Sequence, residues 1–377
     1  MILAVLKENA GESRVSLVPE VVKQLVQLKV DVRVETGAGA AAFYTDEAYR
    51  EAGATLASRN DLLQQADMLL SIRQPDQAEW GLTGAGKIWL GVYQPLYHPG
   101  LMQQWADRQL TVFSMDTIPR TTRAQSMDVL SSQANIAGYK AVLLAAYTYS
   151  RYFPMFMTAA GSIPPAKVLI LGAGVAGLQA IATARRLGAV VEVFDTRPAV
   201  KEEVMSLGGR FVEVEGAADA SAAGGYAVEQ SAEYQQKQVA KIAESAAKAD
   251  IIITTAQIPG KPAPVLISEE MIAAMKKGSV IVDLAAATGG NTALTKHAET
   301  VIHEGVTIIG DSDLAGKAPA DASKLYARNV LNFLKLIIGK EGQLELNFED
   351  DIVKGACITH GGTIVNERVK QLQPAAV

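Results

Sequence analysis

KVLILGAGVAGLQAIATARRLGAVVEVFDTR, residues 167–197, is the stretch that decides the fold. Residues 167–171 are an apolar run that reads as a strand, residues 175–187 carry apolar side chains at helical spacing, and residues 190–194 read as a second strand. Between strand and helix lies Gly172-Ala173-Gly174-Val175-Ala176-Gly177. Each glycine has its own reason. Gly172 permits the tight bend, Gly174 lets the backbone approach a pyrophosphate, and Gly177 lets the helix pack against the strand. The helix start then offers N–H groups and the positive end of its dipole to phosphate. A lone GxGxxG is a weak signal, but here the flanking strand and helix complete the unit. The second strand ends at Asp195, eighteen positions beyond Gly177. A carboxylate there accepts both adenosine ribose hydroxyls and repels a 2′-phosphate. Arg197 is able to accept such a phosphate, so NAD is the reading and NADP stays open. The unit implies a Rossmann-type domain that binds NAD(H).

Working outward, the same alternation recurs. Residues 2–6, 30–34, 68–72, 88–92 and 110–115 read as strands, and residues 19–28 as a helix with proline in its first turn. Residues 127–149 read as one long helix with small residues (Ala134, Ala137, Gly138, Ala141) along it. Beyond the dinucleotide unit, residues 200–207 read as a helix, and 210–214, 250–254, 279–283 and 306–309 as strands. The fold class expected is α/β: two Rossmann-like domains with parallel sheets, the second inserted into the first and joined to it by the long helix. The boundaries expected are 1–131 plus 321–377 for the first domain and 132–320 for the NAD(H)-binding domain. Residues 216–231 (GAADASAAGGYAVEQS) lack periodicity and read as a long flexible loop. After Asn332 the tail shows short strand-like pieces and is expected to return to the first domain.

Bulk properties narrow the function. A chain of 377 residues is long for one core. A net charge of −5 gives no basic footprint for nucleic acid. The single cysteine, Cys357, suits a reducing compartment and reads as a small strand residue, not a nucleophile. No secretory leader is expected at the start. The most apolar region, residues 139–166, is broken by Lys140, Arg151, Pro154, Pro164 and Pro165, so no membrane insertion is expected. The four histidines, His98, His297, His303 and His360, have no catalytic motif context, and no spacing suggests a metal site. An ordinary dehydrogenase needs an acid or base beside the reacting carbon. The densest polar run is instead residues 119–133, PRTTRAQSMDVLSSQ, between the first sheet and the long helix. Ligand sites favour such domain junctions. Capping of a helix by Ser126 or Asp128 explains one or two of its polar side chains, not eight.

The runs PRTTRAQSMDVLSSQANIAGYKAV, TAAGSIPPAKVLILGAGVAGLQAIATARRLGA, TTAQIPGKPAPVLI and GSVIVDLAAATGGN resemble the alanine dehydrogenase / nicotinamide nucleotide transhydrogenase family, over almost the full chain. Two activities compete within it. Of the substrate-binding groups of alanine dehydrogenases, Arg14 matches the arginine. The lysine position is Ser71, the GVYQPLY region has no histidine, and the aspartate position is Ala287. RAQSMD, residues 123–128, resembles the NAD(H)-binding domain I of proton-translocating transhydrogenase. Hydride passing straight between two nicotinamide rings protonates no substrate oxygen or nitrogen, so positioning replaces acid/base catalysis.

The resemblance implies that Arg120, Gln125, Asp128 and Ser131 orient the nicotinamide, with Arg123 and Ala124 beside them. It implies that Gly172, Gly174, Val175 and Gly177 take the pyrophosphate and that Asp195, Thr196 and Arg197 surround the ribose. Gly225 and Tyr226 are placed on a mobile loop over the nucleotide. Gln257 stands at a cofactor-lining position that is usually Leu. The implied partners are a second copy of the chain, an NADP(H)-binding domain that alone holds NADP(H), and a transmembrane domain. These would keep the chain peripheral on the cytoplasmic side of the inner membrane. The alternatives are an NAD-dependent alanine dehydrogenase and a non-enzymatic NAD(H)-sensing module.

Overall fold

Apolar runs alternating with amphipathic ones build two sheets in the computed structural model, which describes residues 1–214 and 231–372. The chain separates into two units, Met1–Gln133 with the chain from Gly316 onward, and Ala134–Ala315.

In the first unit, eight strands run in the order Thr363–Ile364, Cys357–His360, Thr111–Ser114, Ile88–Gly91, Met68–Leu70, Ile2–Val5, Asp31–Glu35, Thr55–Ala57. The six from Thr111–Ser114 to Thr55–Ala57 pair in parallel. The central ones are buried on both faces, as parallel strands covered by helices must be. The helix Pro319–Ile337 lays Tyr326, Val330, Phe333, Leu334 and Ile337 into this core. Val330, Phe333, Leu334 and Ile337 each contribute about 1.5–3 kcal/mol by leaving water. The strand-like pieces expected after Asn332 begin beyond this helix. The helix carries its apolar stripe five residues further, to Ile337. The tail then returns to the same sheet as Cys357–His360 and Thr363–Ile364, an antiparallel hairpin. Gly361 (φ +57°) and Gly362 (φ +79°) form its two-residue turn.

In the second unit, seven strands run in the order Arg210–Phe211, Val190–Phe194, Lys167–Leu171, Ile251–Thr254, Val280–Asp283, Val306–Ile309, Thr300–His303. Lys167–Leu171 has later strands on both sides, so chain order reverses around it, and ligands of such sheets sit beyond the carboxyl ends of the strands at that point. Both sheets are parallel, as expected, except at one edge each. Here that edge is Thr300–His303, turned back by Glu304 (φ +48°) and Gly305 (φ +82°). The strand expected over 210–214 pairs only at Arg210–Phe211. The long helix spans Val129–Thr148. The apolar stretch after it is a small exposed hairpin, Phe156–Thr158 with Gly161–Ile163. Among the described residues no helix is long and apolar enough to cross a membrane.

Candidate functional site

The three glycines of the turn behave as three different devices. Gly172 has φ +105°, and a Cβ there would strike the Thr255 hydroxyl at 2.5 Å. Gly177 is buried, and a Cβ there would run into the carbonyl oxygen of Gly172. Gly174 is exposed and has nothing within 4 Å of the same position. The first and third glycines are therefore required by the fold, whereas the fold leaves the second one's face open. Gly174 is the N-cap of the helix Val175–Arg186, and no side chain caps it. Its first-turn N–H groups form the anion-accepting end of the helix dipole. Val175 beside it is 39 % exposed.

Asp195 lies at the end of Val190–Phe194 and is anchored by the turn itself: Ala173 N–H donates to its Oδ2 at 2.7 Å. Arg197 donates to the same carboxylate through its backbone N–H (2.8 Å to Oδ1), Nε (2.9 Å to Oδ1) and Nη2 (2.8 Å to Oδ2). The hydrogen bond to Asp195 holds the Arg197 guanidinium above its ordinary pKa. Thr196 between them is half-buried. Gln257 is exposed and donates to the Leu284 carbonyl at 3.0 Å. Gly225 and Tyr226 lie outside the described residues.

Two further supports hold the turn, of which the Asp283–Asn291 pair was not singled out from sequence. Asn291, fully buried, accepts from Ala256 N–H (3.0 Å) and donates to the carbonyls of Ala256 and Pro264 (both 2.8 Å). It pins the TTAQIPG segment against the loop after Val280–Asp283. Asp283, also fully buried, accepts from the N–H groups of Ala285 and Asn291 and from the Thr295 hydroxyl. The available signal was a carboxylate and an amide within one quoted run, GSVIVDLAAATGGN. The other support is Gly138 on the long helix. A Cβ there would overlap the carbonyl of Ala176, so the small residues along that helix let it meet the first turn of Val175–Arg186 at backbone distance.

In the first unit, the 120s segment is a 3₁₀ helix, Thr122–Met127, with Ala124 and Met127 buried and Arg120, Arg123 and Gln125 exposed. Arg123 forms a fork with Asp350 at 2.6 and 2.7 Å and also meets Asp351, which brace it against the cap of a later helix. Asp128 accepts from Ser131 N–H (2.9 Å) and Ser131 Oγ (2.6 Å), so Asp128 is the capping residue at the start of the long helix. Ser126 offers its carbonyl to Asn329 and Asn332.

Arg14, the residue matching an alanine dehydrogenase substrate arginine, is buried and already holds a carboxylate. Its Nε and Nη2 donate to Glu12 at 2.7 and 2.6 Å, and Nη1 to Gln133 at 2.8 Å. Burial pushes the Glu12 carboxyl up, but the hydrogen bonds and charge of Arg14 outweigh it and bring Glu12 down to about 2. Ser71 is buried, its hydroxyl bonded to Tyr93 at 3.1 Å. Nearby, Glu8 accepts from Ile72 N–H (2.5 Å) and Arg73 N–H (3.1 Å), and burial pushes it up to about 7. Cys357 is buried in a strand, and burial pushes its thiol up to about 12, which leaves it unreactive. His360 shares a hydrogen bond with Thr111 at 3.1 Å.

The chain is similar to known proteins along nearly its whole length. The profiles "Alanine dehydrogenase/PNT, N-terminal domain" and "Alanine dehydrogenase/PNT, C-terminal domain" match residues 4–137 and 141–367. The first of the separate pieces of the NAD(P) transhydrogenase alpha subunit of Rhodospirillum rubrum is 48 % identical over 376 residues, covering 97 % of this chain and 98 % of that protein. The NAD(P) transhydrogenase subunit alpha of Cereibacter sphaeroides is 44 % identical, covering 97 % of this chain and 74 % of its own length. Alanine dehydrogenase 2 of Staphylococcus aureus (strain USA300) is 27 % identical over 96 % of this chain and 93 % of that one. A solved transhydrogenase from Sinorhizobium meliloti superposes with a TM-score of 0.89 at 46 % identity, over 97 % of this chain and 100 % of that one. A solved L-alanine dehydrogenase superposes with a TM-score of 0.83 at 25 % identity, over 99 % of each. The chain therefore belongs to the alanine dehydrogenase/PNT family, among its NAD(P) transhydrogenase alpha subunits.

Proposed function

We propose that this chain is the NAD(H)-binding component of a proton-translocating transhydrogenase, exchanging hydride between NADH held here and NADP⁺ held by a separate NADP(H)-binding domain. The observation that carries this reading over an amino-acid dehydrogenase is Ser71, which stands at the lysine position, buried and bonded to Tyr93. Arg14, the one matching substrate group, is forked on the chain's own Glu12. Without a keto-acid oxygen or amine to protonate, no acid/base is required at the reacting carbons.

NADH, when bound, supplies the hydride: its C4–H bond breaks and a C4–H bond forms on NADP⁺, giving NAD⁺ and NADPH with no proton exchanged. The chain's own residues hold and orient. Gly172, Gly174 and Gly177 shape the phosphate turn, with the N–H groups beside Val175 as donors. Asp195 and Thr196 take the ribose, and the acceptor role of Asp195 favours NAD over NADP. Arg120 and Gln125 line the nicotinamide, Ala124 anchors their segment in the core, and Asp128, already bonded to Ser131, fixes those two side chains for its carboxamide. Arg123 serves this group by bracing the segment through Asp350. Gln257 adds a contact from the TTAQIPG segment. The reacting carbons need to meet at roughly 3–3.5 Å, which is the work of this positioning.

The partners that complete the reaction are the NADP(H)-binding domain and a transmembrane domain that couples it to proton movement. They would hold the chain on the cytoplasmic side of the inner membrane. A second copy of the chain is the further partner. The support for it is the hairpin region, where Tyr152, Met155, Phe156 and Met157 are 51, 63, 41 and 72 % exposed, a cluster of the kind that marks interaction surfaces.

The test is mixing. NADH and an NADP⁺ analogue should exchange hydride only when this chain and a separately prepared NADP(H)-binding domain are combined. Production of NADH from alanine and NAD⁺ at ordinary dehydrogenase rates would overturn the proposal, as would NADH binding without exchange after mixing.

A further inference from the structure

Asp195 has no vacant acceptor position. Its two oxygens offer about four lone-pair sites. Oδ1 takes the N–H and Nε of Arg197, and Oδ2 takes Ala173 N–H and Nη2 of Arg197. The Nε/Nη2 fork lies on both oxygens at once, which is the bidentate arrangement in which guanidinium meets carboxylate. A vicinal ribose diol approaches a carboxylate in the same two-pronged way. Diol and guanidinium therefore compete for one edge. The pair is well sheltered, with side-chain exposures of 19 % for Arg197 and 6 % for Asp195. Arg197 also lies within the electrostatic reach of Glu203, whose helix, Lys201–Ser206, follows directly. A displaced guanidinium thus keeps a compensating charge nearby.

We propose that Arg197 and Asp195 form a latch that selects the nucleotide: Arg197 closes the ribose edge of Asp195 and is itself withheld from phosphate, and an unphosphorylated ribose diol opens the latch by replacing it. The proposal rests on the turn at residues 172–177 being the dinucleotide site. It assigns Arg197 two effects. It lowers the apparent affinity for NADH, because only the open fraction binds. It is also a latent receptor for a 2′-phosphate, kept unavailable by the carboxylate that repels that same phosphate.

The experiment is equilibrium binding of NADH, NADPH and adenosine 2′,5′-bisphosphate to the full chain and four variants. Arg197→Ala should tighten NADH about fivefold, the share expected of a bidentate pair that the ligand must displace, and should not tighten NADPH. Asp195→Asn should weaken NADH and strengthen NADPH and the bisphosphate by about tenfold or more, because Arg197 is released to the phosphate. Asp195→Asn/Arg197→Ala should lose that gain. If Arg197→Ala weakens NADH, the guanidinium is a ligand contact and not a competitor, and the proposal fails. If the double variant binds the bisphosphate as well as Asp195→Asn does, Arg197 is not the phosphate receptor, and it fails again. Gly174→Val reports on the underlying reading separately. A Cβ there has nothing within 4 Å, so folding should persist and all three ligands should be lost. Unchanged NADH binding by Gly174→Val would remove the site assignment, and the latch with it.

Discussion

Replacing Gly138 with alanine sets two effects of opposite sign against each other. Within the helix Val129–Thr148, alanine is the better residue by about 1 kcal/mol, because glycine loses more backbone entropy on folding. Against this, a Cβ built at Gly138 would stand 2.0 Å from the Ala176 carbonyl oxygen, 2.8 Å from its carbon and 3.0 Å from Cα. Carbon–oxygen contacts between helices settle at about 3.3 Å or more, so the two helices must part by about 1 Å. The atoms in the way are backbone, which no rotamer change can move. Overpacking of this kind costs about 1–3 kcal/mol. Parting the helices also breaks the 3.3 Å Asn135–Gln179 hydrogen bond one turn away. The clash less the alanine gain leaves about 0–2 kcal/mol, and the lost hydrogen bond adds about 0.5–1 kcal/mol, so Gly138→Ala should destabilise by about 0.5–3 kcal/mol in urea unfolding. Ala176 belongs to the first turn of Val175–Arg186, so the same displacement moves the N–H groups proposed to meet the pyrophosphate. NADH affinity should fall about tenfold. A variant at least as stable as the parent, with unchanged NADH affinity, would refute the packing argument.

Two further predictions follow the same logic. Asn291→Ala removes a fully buried amide with three backbone partners and leaves those groups unsatisfied, so stability should fall by about 2–4 kcal/mol; a loss under about 0.5 kcal/mol in urea unfolding would show that the TTAQIPG segment is held by other means. Glu8 has its carboxyl pushed up to about 7 by burial, from an ordinary value of 4.5. A raised carboxyl favours the folded state below 4.5 and loses that contribution as pH rises through 7. The urea midpoint of the parent should therefore decline between pH 4.5 and 8, and Glu8→Gln should flatten that decline; parallel profiles would exclude Glu8 as its source. Glu12, brought down to about 2, works in the opposite sense, its contribution being lost as pH falls from 4.5 toward 2.

The dinucleotide unit was legible because its signals are local. The strands Lys167–Leu171 and Val190–Phe194 stand where the apolar runs put them: residues 168–171 are buried on both faces, and Val191, Val193 and Phe194 are buried around the partly exposed Glu192. The antiparallel edges were harder. The turn before Val306 is Glu304-Gly305, which lacks the Asn-Gly or Asp-Gly signature of a tight hairpin. The helix through Asn332 runs on to Ile337 with its apolar stripe, and the strand pieces expected after Asn332 lie beyond it, at Cys357–His360 and Thr363–Ile364. In the polar run of the 120s, sequence offers eight candidates but cannot sort them. Their partners, Asp350, Asp351, Asn329 and Asn332, lie some two hundred residues away.

What the sequence determined by itself was the phosphate turn, the carboxylate that follows it and the alternation of two sheets. These depend on backbone conformation and on periodicities of two and 3.6 residues, which neighbours in the chain express. Only the tertiary structure decided which charges are occupied. That Arg14 already grips Glu12, that Arg197 closes over Asp195, and that Gly138 is a contact between helices are facts of distance across folded chain. Hydrogen bonds and steric overlap are settled within about an ångström, and no one-dimensional pattern carries that information.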